Sequence, residues 1–443
     1  MGALLEMSTL KFLFGLFLSL MLVSSLVVGV LASPIWSQTF GGEYSDAGNC
    51  VIQTFDGGFV IAGSTDLIED DGGGFWLISI DDNANMLWQK TYTDDSWDVA
   101  HSVVQTSDGG FVVVGSHLKD YNEGADEICL VRTDGDGNML WQKLYGGEYD
   151  DVGFSVVQTN DGGFIIGGQL GKLTESYVVQ DLLLLKTDEN GNQEWLQTYG
   201  GDSYDRHGVA IQTSDGGYAL AGLSRSFGSG NHDFWLIKTD SNGNQLWNRT
   251  YGGSESEDFE SMIQTNDGGY ALVGMIEYND MMDRAFWVVK ADANGNMEWS
   301  ERYCETGFSS GESIVQTSDG GFAIAGWMFV EGDDDNTDLV LIKTDENGIE
   351  QWNKTFGEAY RDEASSLIQT SDGGYAITGD FYSTETQTDC LLIKTDAYGE
   401  IPEFPSWVIL PLVLTITLFS LILKIKLSKE RGLNFSPNPN PKE

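Results

Sequence analysis

Several residue types and patterns that mark common protein classes are scarce in this sequence. Basic residues are the clearest shortage, with 23 Lys and Arg against 68 Asp and Glu, which gives a net charge of −45. Such an excess of negative charge argues against nucleic acid and anionic membrane surfaces as partners. Between the two chain ends no stretch shows a helical period, which argues against an α-helical domain.

Cysteine and histidine are also few, and this limits the chemistry that the sequence supports. The 4 cysteines, Cys50, Cys129, Cys304 and Cys390, lie in different repeats without metal-ligand spacing, and we expect buried free thiols. The 4 histidines show no ligand spacing either. No nucleophile–base pairing and no phosphate-binding loop is found. The sequence therefore assigns no catalytic residue.

A long repeat occupies most of the chain. Its marker is an Asp-Gly-Gly triplet, and each triplet begins 52 to 54 residues after the one before it. The triplets start at Asp56, Asp108, Asp161, Asp215, Asp267, Asp319 and Asp372. A period near 50 residues predicts a repeat architecture.

Each repeat contains four extended runs, which the third unit shows as FSVVQT, FIIGG, DLLLLKTD and QEWLQTYGG. Gly and Asn turns separate the first run from the second and the third from the fourth, which is typical of an antiparallel meander. Spacings are constant except in the loop between the second and third runs. We therefore predict that these variable loops, together with the links between units, form the binding face.

The two ends of the repeat region complement each other. The segment 34–42 is a fourth run with no third run before it, and the segment 389–399 is a third run with no fourth run after it. This predicts an all-β domain over residues 33–400, a seven-bladed β-propeller of four-stranded antiparallel blades whose N-terminal strand closes the last blade. The alternative is an open β-solenoid, which does not need a split unit.

The chain ends carry two apolar runs. Residues 1–32 are predicted as a signal peptide, because an apolar run from Phe12 to Leu31 ends in a small-residue cleavage pattern; an uncleaved anchor is the alternative. After a linker at 401–406, residues 407–423 are predicted as one C-terminal transmembrane helix. Lysines follow in 424–443, which the positive-inside rule places in the cytoplasm, with the propeller outside at the cell surface.

Two segments resemble known families. The segment KTDENGNQEW, Lys186 to Trp195, resembles the Trp-containing repeats of pyrroloquinoline-quinone-type and WD-like propellers, although its spacing from Asp188 to Gly191 differs by one residue. It also resembles the Asp-box hairpin of sialidases. The ending IPEFPSW is similar to the membrane anchors of archaeal surface proteins. As a whole the chain resembles secreted Asp-Gly-Gly-repeat proteins of archaea and bacteria, which implies an extracellular location. The vicinal cysteines of quinoproteins and the arginine triad of sialidases have no counterpart here.

An acidic residue stands ten positions after each fourth-run Trp in six units, and the sixth unit has Ser309 instead. These residues are Asp46, Asp98, Asp151, Asp205, Glu257 and Asp362. One interpretation is that each accepts hydrogen bonds from the backbone of its own turn. The other is a cation site near the channel mouth, for which calcium suits the oxygen ligands.

The sixth unit departs furthest from the repeat and is the predicted ligand-binding patch. Its link Tyr303 to Phe308 replaces the usual TYGG, and a long acidic loop follows its second run. The predicted ligand-binding residues are Phe308, Trp327, Phe329, Asp333, Asp334 and Asp335, with His207 in the fourth unit.

These features predict a monomeric, membrane-anchored surface propeller that acts as a binding, adhesion or envelope scaffold module, with a glycan or protein as its ligand. The alternative is an extracellular hydrolase or lyase that acts on polysaccharide, which should show a buried acid–base pair in one blade. A structural spacer without a ligand is the third interpretation.

Overall fold

The computed structural model describes most of the repeat region and almost nothing outside it. The described residues are 35–66, 73–92, 98–118, 125–174, 177–278, 283–305, 307–330, 333–357, 360–384 and 387–401. The chain divides into two units, Met1–Glu400 and Ile401–Glu443. The predicted signal peptide and the predicted span at 407–423 lie outside the described residues. Within those residues, no helix has the length and apolar character needed to cross a membrane.

Twenty-eight strands, β1 to β28 along the chain, form seven four-stranded antiparallel sheets, so the predicted propeller is confirmed. The innermost strands are β2 (Asp46–Gln53), β6 (Val99–Gln105), β10 (Val152–Gln158), β14 (Asp205–Gln212), β18 (Glu257–Gln264), β22 (Ser309–Gln316) and β26 (Asp362–Gln369). The second strands are β3 (Phe59–Asp66), β7 (Phe111–Leu118), β11 (Phe164–Leu173), β15 (Tyr218–Ser224), β19 (Tyr270–Tyr278), β23 (Phe322–Val330) and β27 (Tyr375–Thr384).

The outer half of each blade consists of the third and fourth strands. The third strands are β4 (Gly73–Ile80), β8 (Asp126–Thr133), β12 (Val178–Thr187), β16 (Asp233–Thr239), β20 (Asp283–Ala291), β24 (Asp333–Thr344) and β28 (Gln387–Thr395). The outermost strands are β1 (Trp36–Phe40), β5 (Met86–Thr91), β9 (Met139–Tyr145), β13 (Gln193–Tyr199), β17 (Gln245–Tyr251), β21 (Met297–Tyr303) and β25 (Glu350–Phe356).

The last blade contains both ends of the repeat region. Strand β1 pairs antiparallel with β28, with Trp36 opposite Lys394 and Phe40 opposite Cys390. The sheet order is β1, β28, β27, β26, so the split unit is completed as predicted and the ring is closed rather than an open solenoid.

The repeated Gln of each innermost strand joins neighbouring blades by a hydrogen bond. Its side-chain oxygen accepts the backbone N–H of a residue in the Asp-Gly-Gly turn of the preceding blade, as Gln105 does from Phe55 at 2.8 Å. Gln53 accepts from Ser371 at 2.8 Å and so joins the first blade to the last. The same contact occurs at every blade boundary, which explains why this Gln recurs in all seven units.

The repeated Trp docks blades at the outer edge. The ring of Trp195 lies against Gly243, which has a φ of 77° in the turn of the next blade, and a Cβ there would stand 2.8 Å from the ring. A Tyr hydroxyl at the end of the same outer strand bonds the carbonyl of the same glycine, as in Tyr199 to Gly243 at 2.5 Å. Apolar clusters fill the space between blades, where the third strands are buried on both faces.

Candidate functional site

The innermost strands surround a central channel, and each carries a β-bulge four residues before its Gln. Register shifts such as the one between Gly48 and Cys50 mark these bulges. The bulged residues are partly accessible, apart from a glycine in blade 4. This channel ring consists of Asn49, His101, Phe154, Gly208, Glu260, Glu312 and Ser365.

One half of the channel ring is aromatic. His101 and Phe154 have their ring centroids 5.2 Å apart, and Phe154 is stacked on His207 at 4.5 Å and 19°. His207 reaches the channel because the bulge of blade 4 is two residues long and gives it a φ of 58°. Burial lowers the pKa of both histidines to about 4, helped by His207 near His101 and by Arg206 near His207. Both imidazoles are therefore neutral at pH 7.

The other half of the channel ring is acidic. Glu260 and Glu312 come from adjacent blades, and the pKa of Glu260 is raised well above its usual range by burial and by the charge of Glu312. Burial, and to a lesser degree the charge of Glu363, raise the pKa of Glu312 to about 7. His207 Nδ1 stands 3.6 Å from Glu260 Oε2, so the two halves of the ring meet there.

Arg206 and Asp258 lie two positions before the bulge in their strands and carry charge close to this ring. Burial acts to raise the pKa of Asp258, but the hydrogen bond from His232 and the charges of His232 and Arg206 outweigh it, so that the pKa is lowered. His232 Nδ1 is 3.1 Å from Asp258 Oδ1. Asp258 therefore stays a carboxylate, while its neighbour Glu260 favours the protonated form.

The predicted ligand-binding aromatics of the sixth unit come together at the loop end of the channel. The rings of Trp327 and Phe329 are 5.9 Å apart at 85°, and those of Phe308 and Phe329 are 5.7 Å apart at 75°. The Arg284 guanidinium lies 5.3 Å from the centre of the Phe308 ring. These three aromatic side chains, which we call the aromatic patch, are half-buried.

The aromatic patch is joined to the channel ring by one hydrogen bond. Trp327 Nε1 donates to Glu312 Oε1 at 3.0 Å, so the indole lies beside the acidic half of the ring. His207 lies in the aromatic half and touches no residue of the patch through a described contact. Asp333, Asp334 and Asp335 begin β24, and their side chains lie outside the described part of the structure.

The six predicted metal ligands lie apart, each buried at the start of an innermost strand. Three accept hydrogen bonds from the link before them, with Gly42 N donating to Asp46 at 2.7 Å, Gly147 N to Asp151 at 2.5 Å and Gly201 N to Asp205 at 2.9 Å. Asp98 pairs instead with His117 Nδ1 at 2.9 Å. Glu257 and Asp362 occupy the corresponding positions in blades 5 and 7 and are buried in the same way.

Within the described residues, no group of three or more His, Cys, Asp or Glu side chains is placed to hold a metal ion. Calcium at the six acids stays a prediction. The acidic turn at Asp134 is held by hydrogen bonds to its own carboxylate from Asp136 N at 3.0 Å and Asn138 N at 2.8 Å.

His207, beside the channel ring, was predicted from the sequence, but the seven residues of the ring were not. When the seven repeats are aligned, these residues occupy one position, four residues before each Gln. From the first unit to the seventh, that position holds Asn, His, Phe, Gly, Glu, Glu and Ser. The positions beside it vary much less; the next residue, for example, is Ser in five of the seven units. A variable column inside a constant strand would have indicated the channel.

No family model matches the sequence. The regulatory protein FlaEY of Caulobacter vibrioides is 23% identical over 236 residues, which are 48% of this chain and 24% of that protein. The chain thus spans about a quarter of the length of this relative, and the likeness does not show a family.

Solved structures with a similar fold include two carbohydrate-active enzymes. The polysaccharide lyase Uly1 is 9% identical with a TM-score of 0.48, covering 81% of this chain and 92% of its own. The α-L-arabinofuranosidase Arb93A from Fusarium graminearum is 9% identical with a TM-score of 0.45, covering 66% of this chain and 92% of its own. Similarity at this level carries no argument about activity, and the propeller assignment rests on the strand pairing described above.

Proposed function

We propose that this chain is a surface-displayed β-propeller that binds a neutral carbohydrate at the loop end of its central channel. The observation that carries the proposal is the aromatic patch of Phe308, Trp327 and Phe329, joined to the channel by the bond from Trp327 to Glu312. The predicted anchor at 407–423 would hold the propeller outside the cell.

The chemistry of the patch suits a sugar ring. Aromatic rings offer flat apolar surfaces that stack on the C–H faces of sugars, and nearby polar groups fix the orientation of the ligand. Here Glu312 supplies carboxyl oxygens beside Trp327, and Arg284 supplies donors beside Phe308. A net charge of −45 disfavours acidic polysaccharides, so a neutral glycan is the preferred ligand.

Replacing Trp327 or Phe329 by Ala should weaken binding to the neutral polysaccharides that the wild-type chain retains. Each ring removed from a central aromatic contact costs about 1.4 kcal/mol or more, which is about tenfold in affinity. The measurement is affinity electrophoresis against a panel of soluble neutral and acidic polysaccharides, followed by calorimetry on the hits.

Phe55 provides a matched control for this experiment. It is a 73% exposed aromatic in an Asp-Gly-Gly turn, at the opposite end of the ring from the patch. Phe55→Ala should leave affinity unchanged. Unaltered binding by Trp327→Ala and Phe329→Ala together would refute the site, and binding to acidic glycans alone would refute the assigned ligand class.

A polysaccharide-cleaving enzyme is the second candidate, favoured by the acidic half of the channel ring. Glu312, with a pKa raised to about 7, can donate a proton near neutral pH, and Glu260 beside it is a second carboxyl group. This pair is confined to two adjacent blades, which is the asymmetry that catalysis requires.

Glu312→Gln should abolish any release of reducing ends or unsaturated products from the same polysaccharide panel. If the proton of Glu312 is used, the wild-type rate should fall as the pH rises through about 7, since the acid form is then lost. Glu363→Gln, two blades from Glu260, serves as the control, and it should lower the apparent pKa while retaining activity. Turnover by Glu312→Gln at the wild-type rate would exclude this role, and absence of product from every polysaccharide would favour the binding module.

A further inference from the structure

Acidic residues occur in pairs at the blade boundaries. One member lies on a third strand, five positions before its basic residue, and the other stands at the start of the innermost strand of the next blade. The pairs are Glu127 with Asp151, Asp181 with Asp205, Asp233 with Glu257, Asp338 with Asp362, and Asp389 with Asp46. At the boundary of blades 5 and 6 both acids are replaced, by Ala285 and Ser309, whereas at the boundary of blades 1 and 2 Gly74 stands opposite Asp98. Five of the seven boundaries therefore carry the pair.

The paired carboxylates converge on a glycine of the link between blades. A methyl group built on Gly252 would overlap both Asp233 Oδ1 and Glu257 Oε2. Gly200 stands in the same relation to Asp181 and Asp205. The two carboxylates of a pair therefore lie close enough for one cation to contact both.

At the boundary of blades 3 and 4 the protein supplies that cation itself. Lys172 Nζ bonds Asp181 Oδ2 at 2.6 Å and the carbonyl of Gly201 at 2.9 Å. The second acid, Asp205, accepts hydrogen bonds from two serine hydroxyls and the backbone N–H of Gly201. Both acids of this pair are thus compensated by groups of the chain.

At the boundary of blades 4 and 5 the same pair of positions has no such lysine. The residue 54 positions after Lys172 is Ser226, and its hydroxyl is bonded to Asp205 at 2.6 Å, so it belongs to the boundary of blades 3 and 4. Glu257 is fully buried, and its carboxyl oxygens have no side-chain partner and at most a poorly aligned contact with the backbone N–H of Gly253. Asp233 is 3% exposed. A buried carboxylate without a partner is costly, which calls for a compensating charge.

The nearby charged groups of the chain compensate the pair only in part. His232 is bonded to Asp258 and Arg302 has its guanidinium over the ring of Tyr278, so each acts on the pair through its charge alone. Glu255 in the link adds a further negative charge next to Glu257. Asp233 Oδ2 accepts the N–H of Ser229 at 2.9 Å, which leaves Oδ1 directed toward Glu257.

We propose that Asp233 and Glu257 bind a calcium ion, which takes the place that the Lys172 ammonium has one blade earlier. Backbone carbonyls of the link and water would complete the coordination. Calcium prefers carboxylate and carbonyl oxygens at about 2.3–2.6 Å and tolerates irregular geometry, whereas magnesium demands a regular octahedron. This inference is independent of the carbohydrate site.

The competing explanation is a proton shared by the two carboxyl groups. Burial and the charge of Asp233 raise the pKa of Glu257 to about 8, so a cation-free pair would hold a proton at pH 7. The two explanations differ in their response to calcium, because a ligand that prefers the folded state raises its stability.

The test compares the full-length chain with Glu257→Gln, first treated with chelator and then titrated with calcium chloride at pH 7.5. Wild type should unfold at a temperature at least about 2 °C higher with saturating calcium, and Glu257→Gln should bind one calcium fewer per chain by calorimetry. Magnesium at the same concentration should give a smaller shift.

Two further variants guard against a merely structural effect. Asp205→Asn alters the equivalent acid at the lysine-compensated boundary, so it should lower the unfolding temperature but keep the stoichiometry of wild type. Asp233→Asn removes the other proposed carboxylate ligand, so it should also bind one calcium fewer per chain. A wild-type chain that binds no calcium up to about 10 mM, or a Glu257→Gln chain with unchanged stoichiometry, would overturn the site and leave the shared proton.

Discussion

One turn position is glycine in six units and alanine in the first, although the backbone conformation is the same in all seven. In six of the seven second turns a glycine with φ between 72° and 79° lies under a Trp of the preceding blade. In the first blade this position is Ala84, with a φ of 63°, under Trp36. An L-residue in the left-handed region is destabilised by about 1–2 kcal/mol. The first blade therefore carries local strain that the other turns avoid.

Ala84→Gly should stabilise the protein, because it relieves this strain and the crowding against Trp36. The greater freedom of glycine in the unfolded chain offsets part of the gain, which leaves about 0.5–1 kcal/mol. The measurement is the midpoint of chemical unfolding. Gly243→Ala, the reverse change in the fourth unit, should lower the midpoint. A lower midpoint for Ala84→Gly would show that Ala84 is not strained.

At the scale of elements, the strands and their closure were predictable from the sequence, whereas the channel was not. Turn signals and constant spacings set four strands per unit, and the split unit at 34–42 and 389–399 indicated the closed ring. The channel ring escaped prediction because a bulge interrupts the alternation of side chains along a strand, and so strand periodicity misassigns the direction of residues such as Glu312. The aromatic patch was found because its residues replace a recurring motif.

The innermost strands also give a pH dependence that is tied to the channel. His101 and His207 have a folded pKa of about 4, below the 6.5 of an unfolded His. Neutral histidines therefore contribute fully to the free energy of unfolding above pH 6.5, and this contribution falls as the pH drops toward 4. The loss is about 1 kcal/mol per histidine, because water in the channel screens part of the effect. His101→Asn with His207→Asn should lose less stability between pH 7.5 and pH 5 than wild type does. Equal losses in thermal melts at the two pH values would show that these imidazoles are not held neutral.

At the scale of the whole molecule, closure depends on one short strand from the start of the repeat region. Strand β1 pairs with β28, Phe40 is buried in the core and Trp36 docks on the first blade. Deleting residues 35–40 from the full-length chain should leave β28 as an open edge, remove these contacts and lower the unfolding temperature by about 5 °C or more. Protease cleavage should then concentrate in the last blade.

Thr39→Ala, a change at an exposed residue of the same strand, is the control and should shift the unfolding temperature by less than about 1 °C. A deletion variant as stable as Thr39→Ala would mean that the ring stays closed without strand β1, and that the seven glutamine contacts between neighbouring blades suffice for closure.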